Sequence, residues 1–134
     1  MKLNAKGLSH LGLRVTDLAR AKRFYVDTLG GQLMREIEGA VLVNMYGLLI
    51  GLYGSDTHSA KNEYFSPFRV GLDHLALAIE DPDTMEGLRQ ELDAAGVSNH
   101  GVEKDPETND LYISFSDPDG IAWELYATTT RADE

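Results

Sequence analysis

The feature that most limits what this chain can fold into is a gapless internal repeat. Leu8-Ser9-His10-Leu11-Gly12-Leu13-Arg14-Val15-Thr16-Asp17 lies over Leu72-Asp73-His74-Leu75-Ala76-Leu77-Ala78-Ile79-Glu80-Asp81 at a constant offset of 64 residues. A chain that carries one motif twice is built from two copies of one supersecondary unit. In the first copy Leu11, Leu13 and Val15 alternate with His10, Gly12 and Arg14. In the second, Leu75, Leu77 and Ile79 alternate with His74, Ala76 and Ala78. A period of two is that of a strand with one apolar face, and it puts each histidine opposite that face.

The segment after each strand also repeats. Asp17 stands where a helix N-cap belongs, Leu18, Ala21, Phe24, Tyr25 and Leu29 form an apolar stripe, and Gly30-Gly31 supplies the stop. In the second copy Asp81 caps, Pro82 takes the first helical position, Met85, Leu88, Leu92 and Ala95 form the stripe, and Gly96 ends it. Strand-like runs come next: 32–37, 41–46 and 48–53 in the first copy, 97–103, 111–115 and 121–127 in the second. The reading is an α+β chain of paired βαβββ modules, module one over about residues 6–54, a polar linker over 55–69 and module two over about 70–128.

At 134 residues the chain has room for one such pair and little else. The formal net charge of −10 sets its field against phosphate backbones and anionic lipid, so neither nucleic acid nor a membrane surface is an expected partner. With no cysteine it has no disulfide, no zinc–thiolate cluster and no thiol nucleophile. No apolar run reaches the 18 or so residues of a membrane span, and the opening MKLNAKGLSH is too polar for a signal peptide, so a cytoplasmic protein is expected.

The last runs of the two copies align as well: Gly47-Leu48-Leu49-Ile50-Gly51-Leu52-Tyr53 over Gly120-Ile121-Ala122-Trp123-Glu124-Leu125-Tyr126. Alternation sends Ile121, Trp123 and Leu125 to the helix-covered face and leaves Glu124 on the face that also carries the histidines. His10, His74 and Glu124 are thus two imidazoles and a carboxylate on strands, facing away from the helices, which is a ligand set for a divalent metal with open positions. A lone strand histidine is more often structural. Two at equivalent positions of a duplicated unit, with a glutamate in an otherwise apolar strand, are hard to obtain from packing alone.

On these segments, with Phe24-Tyr25-Val26-Asp27-Thr28-Leu29-Gly30 and the Asp117-Pro118-Asp119-Gly120 turn leading to Glu124, nearly the whole chain resembles the vicinal oxygen chelate superfamily. That superfamily holds glyoxalase I, methylmalonyl-CoA epimerase, extradiol dioxygenases, fosfomycin-modifying thiol transferases and bleomycin-resistance proteins. The resemblance implies an incomplete eight-stranded barrel around a metal site, with His10, His74 and Glu124 at the ligand positions of the first, fifth and eighth strands. It also implies a small-molecule substrate chelated through vicinal oxygens, and commonly a homodimer. Glyoxalase I-like enzymes carry a glutamate, and the epimerases a glutamine, where this chain has Gly51, which offers neither ligand nor base. The three-ligand set is similar to the dioxygenases and the transferases. Ser114 stands where the dioxygenase pattern has a tyrosine, and Lys104 is the only cation in its loop.

The metal itself is left open among iron, manganese, zinc, nickel and cobalt, since two imidazoles and a carboxylate accept any of them. Arg14, Tyr53 and Tyr112 share the ligand face and are candidates for holding or protonating a chelated substrate. Tyr126 shares the face too and ranks below them. His58 and His100 read as surface residues, residues 103–110 as a solvated acidic loop over the cavity mouth, and Trp123 as core. A metal-dependent enzyme leaning to extradiol-dioxygenase-like chemistry is the first functional reading. A fosfomycin-type thiol transferase or lyase, and a non-catalytic drug-binding protein of the bleomycin-resistance type, are the alternatives.

Overall fold

A computed structural model describes residues 1–55 and 63–128. His58 and most of the first half of the expected linker lie outside the described residues. The chain divides into two compact units, Met1–Glu63 and Tyr64–Glu134, and each repeats the order strand, helix, three strands.

The first unit runs β1 (Leu11–Arg14), α1 (Leu18–Lys22), a π-helical continuation (Arg23–Thr28), β2 (Gln32–Ile37), β3 (Ala40–Met45) and β4 (Leu48–Tyr53). Its sheet has the order β1-β4-β3-β2, with β1 parallel to β4 and the other pairs antiparallel. The second unit has β5 (Leu75–Ala78), a 3₁₀ turn (Pro82–Thr84), α2 (Met85–Ala94), β6 (Asn99–Lys104), β7 (Leu111–Ser116) and β8 (Ala122–Ala127). Its order is β5-β8-β7-β6, again with one parallel pair, β5 with β8. Each sheet is open, so no barrel closes within either unit.

Helix α1 and the 3₁₀ turn that leads into α2 both start from an aspartate cap. Asp17, in extended conformation, accepts from the Arg20 backbone N–H at 3.1 Å, and Asp81 accepts from that of Asp83 at 2.9 Å. The first helix does not stay α-helical: Leu29 N–H reaches back five residues to the Phe24 carbonyl at 2.9 Å. Widening the helix there lets the adjacent Phe24 and Tyr25 both turn inward, edge to face with centroids 5.1 Å apart. Gly31 then passes so close to the sheet that a Cβ on it would stand 2.7 Å from Val43 and 2.8 Å from the Tyr25 carbonyl. The second helix ends as a Schellman motif, with Gly96 at φ +73, its N–H on the Asp93 carbonyl and the Val97 N–H on that of Leu92. Val97 therefore belongs to the helix stop, and β6 begins two residues later than the alternation suggested. Ala95, expected in the apolar stripe, is exposed, while Met85 and Leu92 are buried.

The core of each unit is the face that alternation assigned to the helices. Leu13, Val15, Val41, Val43, Ile50 and Leu52 are buried in the first unit, and Ile113, Phe115, Ile121, Trp123 and Leu125 in the second. Leu11, Leu75, Leu77 and Ile79 keep the same phase but are half-buried. Burying a side chain of this size contributes about 1.5–3 kcal/mol. Strand β3 stops at Met45 because Tyr46 and Gly47 both take positive φ, +55 and +103, forming the tight turn that returns the chain into β4.

Candidate functional site

The parallel pairing of β5 with β8 sets Leu75 beside Trp123 and Ala76 beside Glu124. His74, one residue before β5, thus becomes a diagonal same-face neighbour of Glu124. Its Nε2 lies 3.4 Å from Glu124 Oε1, and its Nδ1 donates to Asp73 Oδ1 at 2.6 Å. The Asp73 hydrogen bond raises the pKa of His74 above its ordinary value; partial burial opposes this, and the negative charges of Glu124 and Asp73 reinforce it.

This pair opens into a cavity of about 200 Å³. Ser98, Ser114, Ser116 and His100 line it together with Asp73, and the strand positions Phe115 and Trp123, whose side chains are buried in the core, border it. Among the described residues no lysine or arginine lines it. His100 is exposed, as the sequence suggested, yet it is a strand residue of β6 that shares this cavity. Pattern reading missed it because a bulge between Asn99 and Val102 breaks the alternation that would have marked its face. The serines were legible in principle: Ser114 and Ser116 share a face of β7, and Ser114 is the register partner of Glu124.

The two tyrosines of this unit are engaged elsewhere. Tyr112 donates to Glu103 at 3.1 Å and stacks on Tyr126 at 6.2 Å, and Tyr126 donates to Asp110 at 2.9 Å. Neither lines the cavity. The hydrogen bond to Glu103 holds the Tyr112 phenol protonated, with its pKa raised. Asp110, expected in a solvated acidic loop, is buried beneath Tyr126. Asp117 is buried as well, accepting the backbone N–H of Asp119 and Ile121 at 2.9 and 2.8 Å, and so shapes the turn that delivers β8 and Glu124.

The first unit repeats the strand geometry with different side chains. His10 precedes β1, is exposed, and has Ser9 Oγ 2.9 Å from its Nδ1. Gly12 and Gly51 are register partners on β1 and β4. Tyr53 folds back over them: a Cβ on Gly51 would stand 2.8 Å from the Tyr53 hydroxyl, and one on Gly12 would stand 3.1 Å from its ring. Arg14 lies over the Tyr53 ring at 5.7 Å and donates to the Gly54 carbonyl at 2.7 Å. The missing side chain at 51 is therefore the space that a phenol fills.

Among the described residues no three or more His, Asp or Glu side chains are gathered into a chelating group, so the structure itself brings together the His74–Glu124 pair. That pair suits a metal in donor chemistry and in spacing. Adjacent donors each about 2.0–2.2 Å from one ion are separated by about 3.0–3.5 Å.

Comparison with known proteins finds the same fold in a solved structure and a family match over most of the chain. The chain is 32% identical over 129 residues to the uncharacterized protein YaeR of Escherichia coli, covering 92% of this chain and 98% of the other. It is 27% identical over 127 residues to glutathione transferase FosA of Serratia marcescens, covering 95% and 84%. A glyoxylase/bleomycin resistance protein/dioxygenase domain from Frankia superposes with a TM-score of 0.79 at 26% identity, covering 98% and 96%. The family model for the glyoxalase/bleomycin resistance protein/dioxygenase superfamily matches residues 7–125, and the chain belongs to that superfamily.

Proposed function

We propose that this chain is a metal-dependent enzyme acting on a small substrate held through two adjacent oxygens, with His10, His74 and Glu124 as the metal ligands. The observation that carries the reading is the pairing of His74 Nε2 with Glu124 Oε1 at the mouth of a polar cavity. A divalent ion bound there supplies a Lewis acid for the substrate oxygens and open positions for them. Around it the chain's own groups orient the substrate. Ser98, Ser114, Ser116 and His100 offer hydrogen bonds. Tyr53 presents a hydroxyl in the first unit, and Arg14 steadies that ring. Tyr112, tied to Glu103, does not line this cavity and would have to leave that partner to reach a substrate.

Two chemistries divide this reading. Oxygenative ring cleavage of extradiol type needs only the three-ligand set, but the tyrosine expected near Glu124 is replaced by Ser114. Thiol transfer of the fosfomycin-modifying type is favoured by the likeness to FosA across most of the chain. A homodimer in the cytoplasm completes the proposal.

Metal analysis of protein purified without added metal tests the site. Replacing His10, His74 or Glu124 with alanine is expected to remove most bound metal. Oxygen uptake with a catechol panel, and thiol consumption with an epoxide phosphonate, then separate the two chemistries. If the triple alanine variant binds the same ligand as tightly, with no metal in either form, the chain is a sequestering protein and not an enzyme.

A further inference from the structure

The two histidines share an arrangement that the ligand reading does not require. In each copy of the repeat the residue just before the histidine turns its side-chain oxygen onto Nδ1: Ser9 Oγ at 2.9 Å in the first, Asp73 Oδ1 at 2.6 Å in the second. Ser9 and Asp73 are themselves equivalent positions of the repeat. The same contact thus occurs at equivalent positions of both copies, and in both it leaves Nε2 as the nitrogen available to a ligand.

The chemistry of the two partners differs. An ionised carboxylate only accepts, so Asp73 requires a proton on His74 Nδ1 and leaves the Nε2 lone pair directed outward. A hydroxyl donates or accepts equally, so Ser9 selects no tautomer for His10. The carboxylate also increases the electron density of the ring it holds, which strengthens the donor nitrogen. We infer that Asp73 is a positioning residue that presets His74 as the dominant nitrogen ligand, while Ser9 leaves His10 adaptable. The inference rests on the proposed metal site. Asp73 borders the cavity but acts through His74 in this scheme and is not itself a metal ligand.

The test uses the full-length protein at about pH 8, above the ordinary imidazole range. Long-range ¹H–¹⁵N correlation spectra of the metal-free protein are expected to report the Nδ1–H tautomer for His74 in the wild type and a shift towards Nε2–H in Asp73→Ala. Manganese(II) affinity, measured by competition with a chelator, is expected to fall by about 10- to 100-fold in Asp73→Ala, the range typical of lost carboxylate–histidine contacts. Asp73→Asn, whose carboxamide oxygen still accepts from Nδ1–H but carries no charge, is expected to fall between the two. Ser9→Ala should bind within about threefold of wild type. Asp73 is exposed, and unchanged thermal melting of its variants separates a ligand effect from a fold defect. A wild-type Nε2–H tautomer, or Asp73→Ala affinity within twofold of wild type, overturns the inference. His74→Ala and Glu124→Ala are the controls: if they lose manganese while Asp73→Ala does not, only the inference fails. If they retain it, the metal site itself fails.

Discussion

Gly51 is the residue at which this chain departs from its glyoxalase I-like relatives, and the Tyr53 ring lying across it gives that departure a structural meaning. A methyl group at 51 would collide with the ring and hydroxyl at under 3 Å, so Gly51→Ala is expected to displace Tyr53 and cost about 1–3 kcal/mol in urea unfolding. Most of that cost should disappear in a Tyr53→Ala background, and equal costs in both backgrounds would show that the ring does not depend on the glycine. Gly51→Glu, which on sequence alone would rebuild a four-ligand shell, must first expel the same phenol. Tyr112 carries a second residue-level prediction. Its hydrogen bond to Glu103 raises its pKa, so the bond's contribution to stability is fully present below the unfolded-state value near 10 and is lost as pH rises through the higher folded value. Tyrosinate absorbance near 295 nm should place Tyr112 and Tyr126 above the ordinary range, and Glu103→Gln should return one of the two towards normal; a titration unchanged by that substitution would remove Glu103 as the cause.

Among the elements, the turn before β8 decides where Glu124 stands. Asp117 is buried and closes an Asx turn on Asp119 while also accepting from Ile121, and Gly120 takes φ +80 to let the chain reverse. The Asp117-Pro118-Asp119-Gly120 motif is therefore architectural: it positions the strand that carries Glu124. Asp117→Ala leaves two backbone N–H groups without that acceptor and is expected to destabilise the protein by about 2–4 kcal/mol. It should also weaken metal binding through β8, whereas loss of metal with unaltered unfolding would place Asp117 in the site itself. The helices show the same division of labour. Their starts were legible because Asp17 and Asp81 cap through local hydrogen bonds. The π-helical turn was not, because it exists to bring Phe24 and Tyr25 onto a sheet whose position no local pattern encodes.

Across the whole molecule, β2 is an edge strand exposed along its length, with Leu33, Met34 and Ile37 among its exposed residues. Unpaired edges and exposed apolar side chains favour association, and a homodimer is the expected state; a monomer in sedimentation velocity at micromolar concentration would count against it. Among the described residues no helix is long and apolar enough to cross a membrane. The duplicated βαβββ order, the apolar faces of β1, β5 and β8 and the shared face of His74 and Glu124 were all readable from residue order, because a period of two and a gapless repeat are properties of the chain itself. Neighbours separated by many residues were not. That Tyr53 fills the space above Gly51, that Tyr112 turns to Glu103 and away from the cavity, and that His100 joins Ser114 beside Glu124 depend on strand register, side-chain rotamers and one bulge. Those are settled only when strands distant in sequence are paired and their side chains compete for the same space.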